Sequence, residues 1–295
     1  MVLAIEPMKK YPWRLNNLHV KHGVMNAAVE LLREKIPFVQ SMCQAIGHSI
    51  INVVQALGSI TMFVLQTLRH CLTPPIFIKH VLRQFIDIGY YSLPVVGMTA
   101  LFTGMVLALQ SYTGFSRFNA ESAIASVVAL SITRELSPVL AGLMVAGRVG
   151  AAIAAEIGTM RVTEQIDALS TLSVNPTKYL VVPRVIAGTI MLPILVLIGD
   201  IIGVYGGYIV STHVFGFSSG SYLYQTWQVL ENMDIISGLV KAAAFGFLVT
   251  LMGCYHGYNS GRGAQGVGRA TTNAVVTASI LILIFNYLLT QVFFS

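Results

Sequence analysis

The chain has 295 residues, of which 55% are hydrophobic and only 10% charged, and its mean hydropathy is +0.73. Soluble domains contain about 25% charged residues, so this composition excludes an ordinary soluble enzyme and predicts several membrane crossings. The net charge of +6 is better explained by basic cytoplasmic loops than by nucleic-acid binding.

The N-terminal part of the chain is polar and basic. Residues 1–39 lack the apolar core and cleavage site of a signal peptide, which predicts a cytoplasmic extension. The next apolar stretch, residues 45–66, has basic residues on both sides, and a crossing would place one basic cluster outside, against the positive-inside rule. We interpret this stretch as an interfacial helix on the cytoplasmic leaflet, with a membrane crossing as the alternative.

Hydropathy and charge together predict five crossings, with the N-terminus in the cytoplasm and the C-terminus outside. The predicted crossings are residues 86–110, 138–158, 185–210, 235–255 and 274–294. The apolar stretch 122–158 contains Arg134, Glu135 and Pro138, which predicts a short helix and a break before the second crossing. Arg117 is the one basic residue that violates the charge rule.

Two further patterns concern packing and loops. Apolar residues recur at helical spacing in the polar segment 159–172, which predicts an amphipathic cytoplasmic helix. Glycines spaced four apart in the third and fourth crossings predict close helix approach, within one subunit or between two. These glycines are Gly199, Gly203 and Gly207, and then Gly253, Gly257 and Gly261.

Familiar enzyme motifs are missing or out of context. Residues 261–266 match G-x-G-x-x-G, but no strand precedes them and no acidic residue follows, so a dinucleotide site is rejected. The sequence contains no G-x-x-x-x-G-K-[ST] loop, so any ATP dependence must come from a partner. Neither H-E-x-x-H nor a catalytic constellation occurs. Cys43, Cys71 and Cys254 lie far apart, which predicts neither a disulfide framework nor a metal site.

Charged residues at membrane depth are costly and face a partner or a cavity. They are Arg134, Glu135, Arg148, Asp200 and Lys241. Arg134 and Glu135 could pair with each other at a helix break or meet a polar headgroup. Lys241 could join them or extend its ammonium group to the interface.

A collinear series of motifs resembles the MlaE/YrbE permease family over about residues 40–295. The segments are RELSP at 134–138, AGRVG at 146–150, AEIG at 155–158, VTEQIDAL at 162–169, NP at 175–176, VPR at 182–184 and GVGRATT at 266–272. The resemblance implies an all-α membrane protein with an interfacial elbow helix and five transmembrane helices. It also implies the permease subunit of an ABC transporter that moves phospholipids between the inner and outer membranes of a Gram-negative bacterium, or a related lipid or sterol importer.

The resemblance further implies partners for the chain. A homodimer in the inner membrane would bind a cytoplasmic ATPase dimer, which carries the ATP and Mg, so this chain itself holds no cofactor. A periplasmic ring of MCE-domain proteins and, in many systems, a small STAS-domain protein would complete the assembly.

Two sites follow by the same analogy. The segment 159–172 would be a coupling helix that docks on the ATPase through Glu164, Gln165 and Asp167, with Val162, Ile166 and Leu169 as its packing residues. Two copies would enclose a lipid cavity between their first, second and fourth crossings, lined by Leu107, Gln110, Phe118, Arg134, Glu135 and Lys241. Many relatives carry Asp where this chain has Asn286.

Three other functions compete with this one. One is an ABC permease for another hydrophobic or water-soluble substrate. A water-soluble substrate would require a more polar cavity. An intramembrane enzyme would need convergent catalytic groups. A structural anchor for an envelope complex would not require buried charges.

Overall fold

The computed structural model describes residues 47–48, 50–51, 54–74, 77–118 and 123–294, except the side chain of Phe118. The chain forms two compact units, Met1–Met62 and Phe63–Ser295. In the first unit, residues 54–62 are helical. The predicted extension 1–39 and residues 45–46, 49 and 52–53 of the predicted interfacial helix lie outside the described residues. The position of that helix on the membrane stays a prediction.

The second unit contains five helices that are long and apolar enough to cross a membrane. We call them the first to fifth membrane helices: Ile78–Phe115, Ala123–Val162, Thr177–His213, Asn232–Tyr258 and Gly263–Phe294. The part of the chain that the structure describes contains no β-strand. The prediction of an all-α fold with five membrane helices is therefore confirmed. The helices extend beyond the predicted crossings because their polar ends continue the helical backbone.

The second membrane helix is continuous where the sequence predicted a break. It consists of three α-helical segments, Ala123–Ser131, Ser137–Val145 and Ala151–Val162. Two π-helical turns join them, Ile132–Leu136 and Ala146–Gly150. A π turn takes up one extra residue without ending the helix, so Pro138 is accommodated just after the first of these turns. A third π turn, Thr177–Val181, begins the third membrane helix.

Glycines set the distance between the membrane helices. A methyl group on Gly104 would overlap the carbonyl oxygen of Gly203, and one on Gly206 would overlap that of Leu101. These contacts join the first and third helices, and Gly188 with Gly246 joins the third and fourth in the same way. Of the predicted glycines, Gly203, Gly253 and Gly257 pack directly on the backbone of a neighbouring helix. The small residues thus serve packing within one chain.

Gly104→Ala is expected to destabilise the protein by about 2–3 kcal/mol, because the first and third helices must move apart to admit the methyl group. Gly114→Ala in the same helix is the matched control. Its added methyl group meets no atom within 4 Å, so stability should stay equal or rise through better helix propensity. Thermal unfolding of the purified chain in detergent compares the two variants, and equal midpoints would contradict the packing argument.

The fifth membrane helix is covered least by the rest of its own chain. Its buried residues form one stripe, Ala270, Ala274, Ala278 and Ile282. Large apolar side chains such as Leu283, Tyr287 and Val292 are exposed. Most of this helix therefore faces lipid or another subunit.

Candidate functional site

Two ion pairs connect the second membrane helix to the N-terminal part of the fourth. The guanidinium of Arg134 lies 2.7 Å from Asp234 Oδ1, and the ammonium of Lys241 lies 2.7 Å from Glu135 Oε1. Arg134 and Glu135 are neighbours in the π turn Ile132–Leu136. Pairing between Arg134 and Glu135 was one of the alternatives from the sequence. The structure shows instead that each binds its own partner on the fourth helix. We call these four residues, with Asn286 and Thr290, the charge network.

Lys241 is fully buried, with 0% of its side chain exposed. Its ammonium donates to Glu135 Oε1 at 2.7 Å, to Thr290 Oγ1 at 2.7 Å and to the carbonyl oxygen of Arg134 at 2.9 Å. That carbonyl would receive the N–H of residue 138 in an α-helix, but Pro138 has none. Lys241 thus uses all three of its donors inside the protein and does not extend to the interface.

The fifth membrane helix completes the coordination of Glu135. Asn286 Nδ2 donates to Glu135 Oε2 at 2.9 Å, and the Thr290 hydroxyl lies 2.9 Å from Oε1. An amide can donate to a carboxylate, whereas an aspartate at 286 would have to be protonated or would repel it. The asparagine therefore adds a hydrogen bond without adding charge, and the Glu135–Lys241 pair stays neutral overall.

Arg134 presents the accessible edge of the charge network. Its side chain is 35% exposed while that of Asp234 is 1% exposed, and the guanidinium lies 4.4 Å from the centre of the Phe294 ring. The second oxygen of Asp234 accepts the backbone N–H of Glu231 at 3.0 Å, which caps the fourth helix. Arg134 is thereby held in place with part of its guanidinium exposed, a geometry suited to an anionic group.

The remaining predicted cavity residues lie elsewhere in the chain. Leu107 packs on an apolar cluster that includes Ala108, Ile124 and Val210. Gln110 lines a separate cavity of about 580 Å³ together with Arg117. The side chain of Phe118 is outside the described residues. The structure thus brings Arg134, Glu135 and Lys241 together, and the assignment of all six to one lipid cavity stays a prediction.

The other charged residues at membrane depth play separate parts. Arg148, in the π turn Ala146–Gly150, donates to Ser92 Oγ at 2.6 Å and to the carbonyl of Asp87 at 3.2 Å. It therefore connects the second membrane helix to the first. Asp200 is buried in the third helix and does not join the charge network; its Oδ1 atom has no hydrogen-bond partner.

The predicted coupling segment, 159–172, is divided into two helices. The second membrane helix ends at Val162, and a short helix, Gln165–Thr171, follows. Between them Glu164 has φ +59°, a left-handed conformation that costs a non-glycine residue about 1–3 kcal/mol. The segment differs from the predicted single helix because this residue turns the backbone. We call 159–172 the cytoplasmic corner, a name that follows the charge-rule topology.

The predicted docking residues have distinct environments in the cytoplasmic corner. Ile166 is 1% exposed, Val162 is 38% exposed and Leu169 is half-buried. The three polar residues, Glu164, Gln165 and Asp167, are exposed, and Asp167 pairs with Arg161 at 3.0 Å. Ile166 therefore anchors the corner to the protein, while its acidic residues remain accessible to a partner.

Among the described residues, no three His, Cys, Asp or Glu side chains lie close enough together to hold a metal ion. Cys71 and Cys254 are free thiols, and Cys43 lies outside the described residues. Burial raises the pKa of the Cys71 thiol, which makes it a weaker nucleophile and ligand.

Sequence reasoning missed Asp234 and Thr290. Asp234 lies one residue before the predicted fourth crossing, 235–255, although Lys241 follows seven residues later on the same helical face. Asn286 and Thr290 are spaced four apart in the mainly apolar C-terminal half of the fifth membrane helix, which places both on one face. A search for polar residues at these spacings could have found Asp234 on the fourth helix and Thr290 on the fifth.

Comparisons with known proteins agree with this architecture. Residues 81–292 match the family described as "Permease MlaE". The chain is 60% identical over 255 residues to a probable ABC transporter permease protein of Rickettsia bellii, an alignment that covers 86% of this chain and 98% of the relative. It is 35% identical over 265 residues to the "intermembrane phospholipid transport system permease protein MlaE" of Haemophilus influenzae, covering 87% and 99%. It is 38% identical over 217 residues to "Protein TRIGALACTOSYLDIACYLGLYCEROL 1, chloroplastic" of Arabidopsis thaliana, covering 74% and 62%.

Proposed function

The chain belongs to the MlaE permease family and is a multi-pass ABC transporter permease, and from this premise we propose that it moves phospholipids between the inner and outer membranes of a Gram-negative bacterium. The observation that carries the proposal is its 35% identity to the Haemophilus influenzae intermembrane phospholipid transport permease over 99% of that protein. ATP hydrolysis belongs to a separate cytoplasmic ATPase dimer that binds ATP and Mg.

The charge network supports a phospholipid as the substrate. The Arg134 side chain is 35% exposed, and a guanidinium binds a phosphate group with two parallel hydrogen bonds. The membrane helices around it are apolar, which suits acyl chains. A water-soluble solute would leave these apolar walls without a matching ligand.

The proposed assembly is a homodimer in the inner membrane, with its N-terminus in the cytoplasm and its C-terminus in the periplasm. The uncovered fifth membrane helix offers surface for the second copy. The exposed acidic residues of the cytoplasmic corner offer a docking point for the ATPase. A periplasmic MCE-domain ring and a STAS-domain protein are the other proposed partners.

We expect the paired substitution Arg134→Gln with Asp234→Asn to reduce bound phospholipid by about tenfold, because it removes the charge-assisted contact to phosphate. Changing both residues together avoids leaving one buried charge unpaired. The measurement is the amount of phospholipid that copurifies with the transporter, together with ATP-driven transfer of labelled phospholipid between vesicles.

Arg83→Gln is the matched control, since Arg83 is exposed on Ile78–Ile88 and lies outside the charge network. It should retain normal lipid binding and transfer. If the reconstituted transporter moved no phospholipid but its ATPase responded to another hydrophobic or a water-soluble substrate, the alternative permease function would replace this one.

A further inference from the structure

A second cavity, beside the charge network, lies between the third membrane helix, the helix Ser219–Val229 and the start of the fourth. Its volume is about 630 Å³, within the range of sites for small organic ligands. Apolar side chains such as Ile201 and Leu223 form much of its wall, together with three aromatic residues, Tyr205, Tyr208 and Trp227. We call it the Asp200 cavity after its one acidic residue.

Asp200 has no counter-charge in this cavity. The residue is 6% exposed, and its Oδ1 atom has no hydrogen-bond partner. The hydroxyl of Ser137 is its side-chain neighbour, and no Lys, Arg or His is among the described residues that line the cavity. Arg134, next to the lining residue Thr133, is already bound to Asp234 at 2.7 Å. A buried carboxyl without a counter-charge is costly in an apolar membrane helix, so a ligand that supplies positive charge would be stabilised here.

The aromatic residues favour the same kind of ligand. Tyr205 and Tyr208 have ring centres 6.1 Å apart with nearly parallel planes, and Trp227 is 84% exposed. Aromatic faces combined with a carboxylate attract ammonium groups through cation–π and ionic contacts. An anionic headgroup would instead be repelled by Asp200.

We propose that the Asp200 cavity binds an amphiphile whose head is an amine or quaternary ammonium, with its tail against the apolar wall. The ammonium lies against Asp200 and the aromatic rings, and the hydrocarbon chain covers Ile201 and Leu223. Two sources carry this chemistry: an aminophospholipid, or a single-chain cationic amphiphile. The site does not depend on the transport proposal, because binding is measured on the purified chain without ATP.

The test is native mass spectrometry of the full chain in a neutral maltoside detergent, with equal amounts of phosphatidylethanolamine and phosphatidylglycerol of identical acyl chains. We expect the protein to retain about tenfold more phosphatidylethanolamine than phosphatidylglycerol. This ratio corresponds to one charge-assisted hydrogen bond that only the amine can form. Asp200→Asn should reduce this preference to within about twofold. Asp87→Asn, the same change at an exposed position, should leave it unaltered.

A second readout uses fluorescence, because the chain has two tryptophans, Trp13 and Trp227. In a Trp13→Phe background, phosphatidylethanolamine with brominated chains should quench Trp227 more strongly than brominated phosphatidylglycerol. Dodecyltrimethylammonium should relieve this difference by competition. Binding of that cation with no phosphatidylethanolamine preference, if lost in Asp200→Asn, would identify the single-chain source.

Two results would overturn the proposal. One is equal retention of both lipids together with no Asp200-dependent binding of dodecyltrimethylammonium, which would mean that the cavity holds only acyl chains. The other is an amine preference that persists in Asp200→Asn. Neither result would affect the transport proposal, whose test reads lipid transfer and the Arg134 contact instead.

Discussion

Replacing Lys241 with methionine is expected to lower the free energy of unfolding by about 2 kcal/mol, less than the cost of breaking a fully buried ion pair, because the Glu135 side chain that loses its cation is 36% exposed. The substitution leaves the Glu135 carboxylate without its cation, 2.7 Å away in the native protein. It also removes the ammonium that donates to the carbonyl of Arg134, an oxygen to which Pro138 offers no N–H. Denaturant unfolding of the purified chain in detergent measures the loss.

A double-mutant cycle separates the charge from the packing. Lys241→Met combined with Glu135→Gln removes both charges, so it should recover most of the stability lost by Lys241→Met alone. Lys79→Met is the control at an exposed lysine and should change stability by less than about 0.5 kcal/mol. Equal stabilities for Lys241→Met and Lys79→Met would refute the structural role of the network.

Glu164→Lys should abolish transport while the protein still inserts and folds. Glu164 is exposed at the turn of the cytoplasmic corner. Reversing its charge would place a cation at the proposed ATPase contact, where an anion is needed for electrostatic complementarity. Its side chain supports no described hydrogen bond within the chain, so stability should stay nearly unchanged. The measurements are ATPase copurification, lipid transfer and the unfolding midpoint of the permease.

Two variants make this result specific. Glu164→Gln removes the charge without reversing it and should give an intermediate loss of ATPase binding. Gly220→Lys adds a positive charge at an open position on the helix Ser219–Val229, beyond the other end of the third membrane helix, and should leave ATPase binding intact. Normal transport by Glu164→Lys would rule out the corner as the coupling element.

The sequence predicts the membrane helices well because hydropathy and loop charge are local signals. The partners of the buried charges are not local. Arg134 and Asp234 are 100 residues apart, and Glu135 and Asn286 are 151 apart, so their pairing depends on how the helices pack. The π turn Ile132–Leu136 also escaped prediction, because Pro138 alone indicates a break. The ammonium that donates to the Arg134 carbonyl in this turn belongs to Lys241, which comes from another helix.

The family resemblance predicted Arg134, Glu135 and Lys241 as lipid-cavity residues, and the structure shows that all three form ion pairs within the chain. The Lys241 ammonium donates all three of its hydrogen bonds inside the protein. A lipid headgroup at this network would therefore contact mainly Arg134, whose side chain is partly exposed. The cytoplasmic corner was predicted from its apolar spacing alone. That spacing could not reveal the left-handed residue at its centre, since Glu164 is not a residue type that favours this conformation.

The charge network has a consequence for the electrical balance of the protein. Its two cations and two anions form two neutral pairs. A membrane potential does work only on net charge that moves, about 2.3 kcal/mol per elementary charge for each 100 mV. A rigid shift of the network during a conformational cycle therefore carries no net charge across the electric field. In the proposed transport cycle, ATP hydrolysis would drive such a shift without opposing or drawing on the membrane voltage.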